Sequence, residues 1–420
     1  MKYAILTFGC RVNQADSFEF DEGLRARGAS ESAPEDADLV VVNTCTVTGA
    51  ADHGARQAIR RIARVNTRAR IVVTGCYATR APDQLADLPN VVSLVPNDDK
   101  PRLLRLLEDE FPLTTADRFS AGAGGCGGAE PGAMGRTACP LRVQTGCDET
   151  CAYCIIPSTR GASRSRPLAE VVGEASRLSA AGFKEVWLVG VHLGSYGRDL
   201  TPPSSLFELT RALDRLPGDL TVRISSLEPM DCSDDLVDLV ARSGRFAPHF
   251  HLPLQHVSDR VLIAMRRPYT LSSFHHLVAG IRARMPHAFI GSDFVVGFPG
   301  ESDADMGQAL TTLPELPLTA LHVFPYSDRP GTDAAAMTPK VASSVVTERA
   351  AKIREVGRAL AESFTRSMLG TTRPGLTLHD GTVVLTDNFL KVQIPPGLPR
   401  NVRVRVRIET GEARLVGTVV

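Results

Sequence analysis

The chain has 420 residues, 43% of them hydrophobic, and its 47 Lys and Arg balance 47 Asp and Glu to a formal net charge of +0. Zero net charge excludes a global pull on nucleic acid, so any such surface must be a local basic patch; no run of 18 apolar residues offers a membrane span. Nine cysteines are too few for a secreted disulfide scaffold of this size, so a cytoplasmic protein with reduced, metal-binding thiols is expected. The length allows two or three domains. Met1–Thr7 is too short and polar for a signal peptide and reads as a strand.

Residues 1–112 alternate strand and helix patterns. Apolar runs at Ala4–Phe8, Asp38–Asn43, Ala69–Thr74 and Val91–Val95 predict strands, with helices from about Gln14 to Arg27 and Asp52 to Val65 between them. This alternation predicts a parallel α/β sheet. The first strand runs out in Gly9-Cys10, the second in Asn43-Thr44-Cys45 and the third in Gly75-Cys76. Carboxyl ends of parallel strands share one edge, where ligands bind. Cys10, Cys45 and Cys76 are therefore expected to meet in space. One such cysteine would be a buried core thiol; three at equivalent places in successive βα units read as a metal site. Arg56, Arg60 and Arg64 share one helix face, either solvated or a phosphate track.

Residues 113–138 turn Gly-rich, above all Ala121–Gly128, and read as a flexible linker. Cys126 within it, Cys139 after it and Cys232 further on read as bystanders. A second alternation fills residues 139–368. Strands at Leu141–Thr145, Glu185–Val191, Leu220–Ser225, Phe250–Leu254, Phe289–Val296 and Ala320–Phe324, with helices such as Leu168–Ala181 and Ser272–Arg284, predict a (βα)6 partial TIM barrel. Cys147-Asp148-Glu149-Thr150-Cys151-Ala152-Tyr153-Cys154 follows its first strand and so lies at the carboxyl face, where such barrels do chemistry. The spacing is C-x3-C-x2-C, with no fourth Cys or His nearby. Structural zinc wants four protein ligands and a cubane iron–sulfur cluster usually takes four thiolates. Three leave one iron open to a small molecule. Gly190, His192, Ser225, Glu228, Gln255 and Gly297 stand at other strand ends of that face, in glycine-rich and polar stretches that suit close approach to a cofactor. Glycines at such ends are mostly turn residues, and His192 or His256 is more often hydrogen-bonded than catalytic. No catalytic acid or base is assigned.

Leu360–Leu369 reads as a closing helix. Residues 369–420 then carry short strands at Thr382–Leu385, Leu390–Ile394, Val402–Ile408 and Arg414–Val419, a small antiparallel β-barrel pattern. Val402, Val404 and Val406 alternate with Arg403, Arg405 and Arg407. With Lys391 and Arg400 nearby, the arginine face is an RNA contact or a charged edge strand.

Thr7-Phe8-Gly9-Cys10-Arg11-Val12-Asn13-Gln14, Asn43-Thr44-Cys45-Thr46-Val47-Thr48, Gly75-Cys76, the cysteine loop with Cys154-Ile155-Ile156-Pro157, Arg164-Ser165-Arg166, Gly190-Val191-His192-Leu193-Gly194-Ser195-Tyr196-Gly197 and Val323-Phe324-Pro325-Tyr326-Ser327 together resemble the radical S-adenosylmethionine (SAM) methylthiotransferases over nearly the whole chain. The first and sixth of these stretches look like the branch that adds a methylthio group to C2 of N6-threonylcarbamoyladenosine beside the tRNA anticodon. The resemblance implies that Cys147, Cys151 and Cys154 hold a [4Fe–4S] cluster whose open iron binds SAM, with Tyr153 against the adenine. It implies that Cys10, Cys45 and Cys76 hold an auxiliary [4Fe–4S] cluster that carries the sulfur, and that the terminal barrel is a TRAM-like RNA-binding module. An aromatic C–H bond offers no useful acid–base route, so a cofactor-borne radical must open it. Partners implied are the tRNA anticodon loop, an electron donor such as flavodoxin or ferredoxin, and a sulfur source, with no membrane.

The sequence departs from that pattern at Gln255-His256-Val257-Ser258, which replaces the usual Gln-Ser-Gly-Ser, and in lacking Gly-Gly-Glu after the second barrel strand. Rival acceptors are isopentenyl-adenosine in tRNA and an aspartate of a ribosomal protein. A non-catalytic iron–sulfur RNA-binding or redox-sensing protein, or a zinc protein, are the readings of another class.

Overall fold

The computed structural model describes residues 1–111, 130–411 and 414–420. Cys126 and residues 112–129 lie outside the described residues.

The first sheet holds β1 (Lys2–Thr7), β2 (Ser30–Glu31), β3 (Leu39–Thr44), β4 (Arg70–Gly75) and β5 (Val91–Val95), in the order β2-β1-β3-β4-β5 and parallel throughout. β3 is buried at every residue, as the centre of a sheet covered on both faces must be. The first helix, α1 (Arg11–Arg25), starts directly after Cys10, earlier than the apolar spacing suggests. The second, α2 (Gly49–Val65), is capped by Thr48, whose hydroxyl accepts from Ala51 N at 3.2 Å. The short exposed strand β2 has no sequence signal to announce it. Arg56 on α2 donates to the Tyr77 hydroxyl, whereas Arg60 and Arg64 are exposed.

Beyond the Gly-rich stretch come β6 (Cys139–Arg142), β7 (Gln144–Thr145), β8 (Arg164–Ser165), β9 (Glu185–Val189), β10 (Thr221–Ile224), β11 (His249–His251), β12 (Phe289–Val296) and β13 (Ala320–Pro325). Two parallel three-stranded sheets, β10-β9-β6 and β11-β12-β13, are joined by a bridge from Ser226 to His251. The result is the expected open arc of six strands. Its first strand is interrupted: β7 pairs antiparallel with β8 and closes the base of the cysteine loop. Phe18 of α1 belongs to the apolar layer between the arc's strands and the helices that cover them, so the first sheet's helix packs against the first strand of the second unit.

The closing helix is far longer than the apolar run at its end, spanning Ser343–Met368. Its buried positions include Arg349, whose guanidinium meets Glu301 and Asp303, each at 2.6 Å. A buried arginine reads as surface in a sequence, which hid the first half of the helix.

The chain ends in a closed barrel, β14 (Thr372–Leu378), β15 (Val383–Thr386), β16 (Lys391–Gln393), β17 (Arg403–Thr410) and β18 (Leu415–Val419), in the order β14-β15-β16-β18-β17. β14 is unexpected because Pro374-Gly375 reads as a break. The barrel needs that glycine: a Cβ on Gly375 would sit 2.5 Å from Val384 Cγ1. The edge-strand reading of the arginine face is corrected, since β17 bonds to β14 on one side and β18 on the other; closure removes edges. The arginines also divide. Arg403 is tied to the central unit through Asp219 Oδ2 at 3.1 Å, Thr221 Oγ1 at 2.8 Å and Lys184 O at 2.8 Å. Arg400 donates to His379 O at 2.7 Å and Gly132 O at 3.2 Å. Arg405 and Arg407 stay exposed. Among the described residues no helix is long and apolar enough to cross a membrane.

Candidate functional site

The ends of β1, β3 and β4 lie on one edge and bring Cys10, Cys45 and Cys76 together. Gly9 has φ +88, and a Cβ there would sit 2.3 Å from Cys45 Cβ and 2.5 Å from its Sγ. Only a glycine lets the first strand end pass this close to the second. Cys76 opens a short helix, α3 (Cys76–Arg80). Cys45 and Cys76 are buried, while Cys10 is exposed to a cavity. Burial pushes the Cys45 thiol up to about 11, and the neighbouring Cys10 and Cys76 add to that. Burial also opposes ionisation of Cys76, but Arg160 and Lys100 outweigh it and hold this thiol below its ordinary value.

Those two cations belong to a buried charge network. Asp16 accepts from Lys100 Nζ at 2.6 Å, Arg142 Nη1 at 3.1 Å and Arg160 Nη2 at 3.3 Å. Arg142 also pairs with Glu19 at 2.8 Å. Lys100 and Arg160 are 7% and 3% exposed and share a single carboxylate, so one buried positive charge is left over. Unpaired buried charge is costly. The surplus faces Cys76, whose Sγ also receives Asn97 Nδ2 at 3.5 Å. Three thiolates with a surplus cation beside them are a donor set that fits an anionic iron–sulfur cluster.

The second trio sits in the loop between β7 and β8. Gly146 has φ +74, and a Cβ there would fall 1.9 Å from Ala162 O; Cys147 N then donates to Gly161 O at 3.1 Å. Ala152 pins the loop centrally, its N–H on Met265 O at 3.1 Å and its C=O accepting from Ala334 N at 2.8 Å. Arg267 Nη1 donates to Cys151 Sγ at 3.2 Å, and the same guanidinium pairs with Glu228. Burial raises the Cys151 thiol against the pull of Arg267, and burial pushes Cys154 up to about 12. His192 stands beside Cys147, with Nδ1 3.9 Å from its Sγ and Nε2 2.7 Å from Asp231 Oδ2. Burial disfavours the imidazolium, but the Asp231 hydrogen bond and Cys147 outweigh it and lift His192 to about 10. An open cavity of about 430 Å3 borders the loop from Cys147 to Ala152. Three converging thiols with a guanidinium on one sulfur fit a cluster here as well.

Two cavities lie beside the trios, each lined by one cysteine. One of about 530 Å3 is lined by Cys10, Gly190, Ser225 and Asp293, among others. The other, about 210 Å3, is lined by Tyr153, Cys154, Gln255 and Tyr326. Asp293 and Phe324 line both. The predicted residues thus divide: Gly190 and Ser225 lie on the Cys10 side, and Tyr153 and Gln255 on the Cys154 side. His192 faces Cys147, and Glu228 reaches Cys151 only through Arg267. Gly297 lines neither cavity; its α-carbon is packed under Val346, 2.4 Å from where a Cβ would be. Asp293 receives His251 Nε2 at 2.9 Å and His322 Nδ1 at 3.3 Å. Burial opposes its charge, yet the two imidazoles hold its carboxyl at about 2.

Arg160, Lys100, Arg267, Asp231 and Asp293 are absent from the sequence reading. Arg160 alone had a usable sign, six residues past Cys154 in the same turn. The others are isolated polar residues on elements far from either cysteine motif.

Two family descriptions match the chain: "Uncharacterized protein family UPF0004" over residues 2–96 and "Radical SAM superfamily" over residues 141–313. The chain is 34% identical over 406 residues to the threonylcarbamoyladenosine tRNA methylthiotransferase MtaB of Aquifex aeolicus, covering 94% of this chain and 96% of that one. It is also 34% identical to a ribosomal protein uS12 methylthiotransferase RimO of Salinispora arenicola (91% and 85% covered) and to a tRNA-2-methylthio-N(6)-dimethylallyladenosine synthase of Parafrankia sp. (88% and 76% covered). Among solved structures, the radical SAM methyltransferase TsrM of Kitasatospora setae superposes with a TM-score of 0.57 at 16% identity, over 80% of this chain and 76% of that one.

Proposed function

The chain belongs to the radical SAM methylthiotransferases, and on that premise we propose that it transfers a methylthio group to C2 of N6-threonylcarbamoyladenosine beside the anticodon of tRNA. Membership makes it a transferase that uses SAM and a [4Fe–4S] cluster; the acceptor and a second cluster are the proposed part. One observation carries the reading: Cys10 of one trio and Cys154 of the other line adjoining cavities that share Asp293 and Phe324. A base between them would meet both chemistries at once.

In this reading Cys147, Cys151 and Cys154 would hold the cluster that binds SAM, and Cys10, Cys45 and Cys76 would hold the auxiliary one that carries the sulfur. Bound there, the loop cluster with SAM would supply radical chemistry for the C–H bond at C2. The chain's own residues do the rest. Arg267 stabilises the Cys151 thiolate, and Arg160 with Lys100 stabilises Cys76. Tyr153 and Gln255 line the side on which SAM would lie. Trp187, Phe289 and Phe389 wall the Cys10 side with aromatic surface, which suits a nucleobase lifted from a loop. Arg405 and Arg407 of the terminal barrel are exposed and can meet phosphate. The electron donor, such as flavodoxin or ferredoxin, and the sulfur source act from outside.

The test compares modified nucleosides in tRNA from cells with and without the gene. Loss of 2-methylthio-N6-threonylcarbamoyladenosine is expected on deletion. Its persistence, or loss of the isopentenyl species instead, overturns the acceptor.

A further inference from the structure

The acceptors named for the relatives differ in one elementary property. N6-threonylcarbamoyladenosine carries a carboxylate on its N6 substituent, whereas the dimethylallyl group is neutral and apolar. A pocket for the first needs a cation where the substituent ends.

The cavity beside Cys10 has such cations. Its charged lining is Arg11, Arg136, Asp293 and the histidines 249, 251 and 322. Its one carboxylate, Asp293, already accepts from both His251 and His322. Arg11 lies flat over the Trp187 ring, its Cζ 3.4 Å from the ring centroid. Cation–π contact fixes a guanidinium without using its in-plane N–H donors. Glu185, the carboxylate whose charge bears on Arg11, is engaged by the fully buried Arg223 at 3.0 Å. Arg136 stands exposed on the rim of the same cavity. Among the described residues neither Arg11 nor Arg136 has a carboxylate partner or a side-chain hydrogen bond. Two neighbouring guanidiniums repel each other, and burial together with Arg223 and Arg136 brings Arg11 down to about 10. An arrangement of this kind awaits an anion.

Resting on the acceptor proposed above, we infer that Arg11 and Arg136 bind the carboxylate of the N6-threonylcarbamoyl group and so select this nucleoside over its apolar counterpart. The aromatic wall of Trp187, Phe289 and Phe389 takes the base, and the clamp residue next to Cys10 places C2 near the sulfur-carrying site. An RNA backbone phosphate is the other anion of similar chemistry.

The experiment measures binding of cluster-loaded protein to three anticodon stem-loops. They carry N6-threonylcarbamoyladenosine, its carboxamide, or unmodified adenosine at the same position. Wild-type protein should favour the acid over the carboxamide roughly 10- to 100-fold, the scale of a charge-assisted contact. Arg11→Gln should lose most of that preference, Arg11→Lys should keep part of it, and Arg136→Gln, at an exposed site, should reduce it less. Equal weakening of all three RNAs would assign the arginines to phosphate, and a wild-type protein indifferent to the carboxylate would also overturn the inference. The acceptor reading fails separately: turnover of the isopentenyl RNA and not of the threonylcarbamoyl RNA sinks that reading, whereas equal turnover of acid and carboxamide sinks only the clamp.

Discussion

The two cysteine trios are built in opposite ways. Cys147, Cys151 and Cys154 come from one loop of eight residues, intermediate in exposure and bordered by an open cavity. Cys10, Cys45 and Cys76 come from three strand ends, two of them buried. The loop trio is served by a locally balanced pair, Arg267 with Glu228. The strand-end trio is served by surplus buried charge, and part of it is imported, because Arg160 belongs to the segment that follows the loop cysteines. The same side chain meets Asn13 and Asp16 of α1. The difference teaches where each site's stability lies. The loop trio depends on its own turns and on contacts within the central unit, whereas the strand-end trio depends on the docking of two units against each other.

The largest expected effect separates the trios by chemistry. Cys151→Ala should abolish reductive SAM cleavage, with 5′-deoxyadenosine falling to background by mass spectrometry. Cys45→Ala should leave cleavage measurable and stop methylthiolation. If Cys45→Ala also removes SAM cleavage, the two sites are not separable.

A smaller effect tests the imported charge. Arg160→Met removes one cation from Asp16 and from Cys76. In the cluster-loaded protein, where the cluster's negative charge matches the surplus, truncating one member of this buried network costs about 3–5 kcal/mol. Hydrogen exchange should register it as a drop in opening free energy across β3 and β4, together with reduced iron content when the cluster is reconstituted. Unchanged protection there would mean that the docking contact carries no stability.

The smallest effect belongs to the loop. Arg267→Met leaves Glu228 without its partner, but that carboxylate is partly solvated, with 24% of its side chain exposed. The expected cost is about 1–3 kcal/mol, confined to amides around β10 and the cysteine loop. A loss as large as that of Arg160→Met, or one that spreads to β3 and β4, would erase the contrast between the sites.

Much was legible before any coordinates. Continuous apolar runs bounded by glycine and polar residues placed β1, β3, β4 and β5 and all six strands of the central arc, because sheet strands covered by helices are nearly continuously apolar. The loop trio was legible because its cysteines are neighbours in sequence. The strand-end trio was legible through one rule of topology, that parallel strands end on a common edge. What escaped has a common cause. Arg349 in the closing helix, Arg403 on β17, and Arg160 with Lys100 beside Cys76 are all charged residues that the fold withdraws from solvent or ties to another unit. A charge in sequence reads as surface; its partner is chosen by tertiary packing, tens to hundreds of residues away. Residue pattern determined the strands and the thiol motifs, since burial and spacing are local properties. Which cations stand beside each thiol trio, and which are left free to meet a substrate, was decided only when the separate units docked.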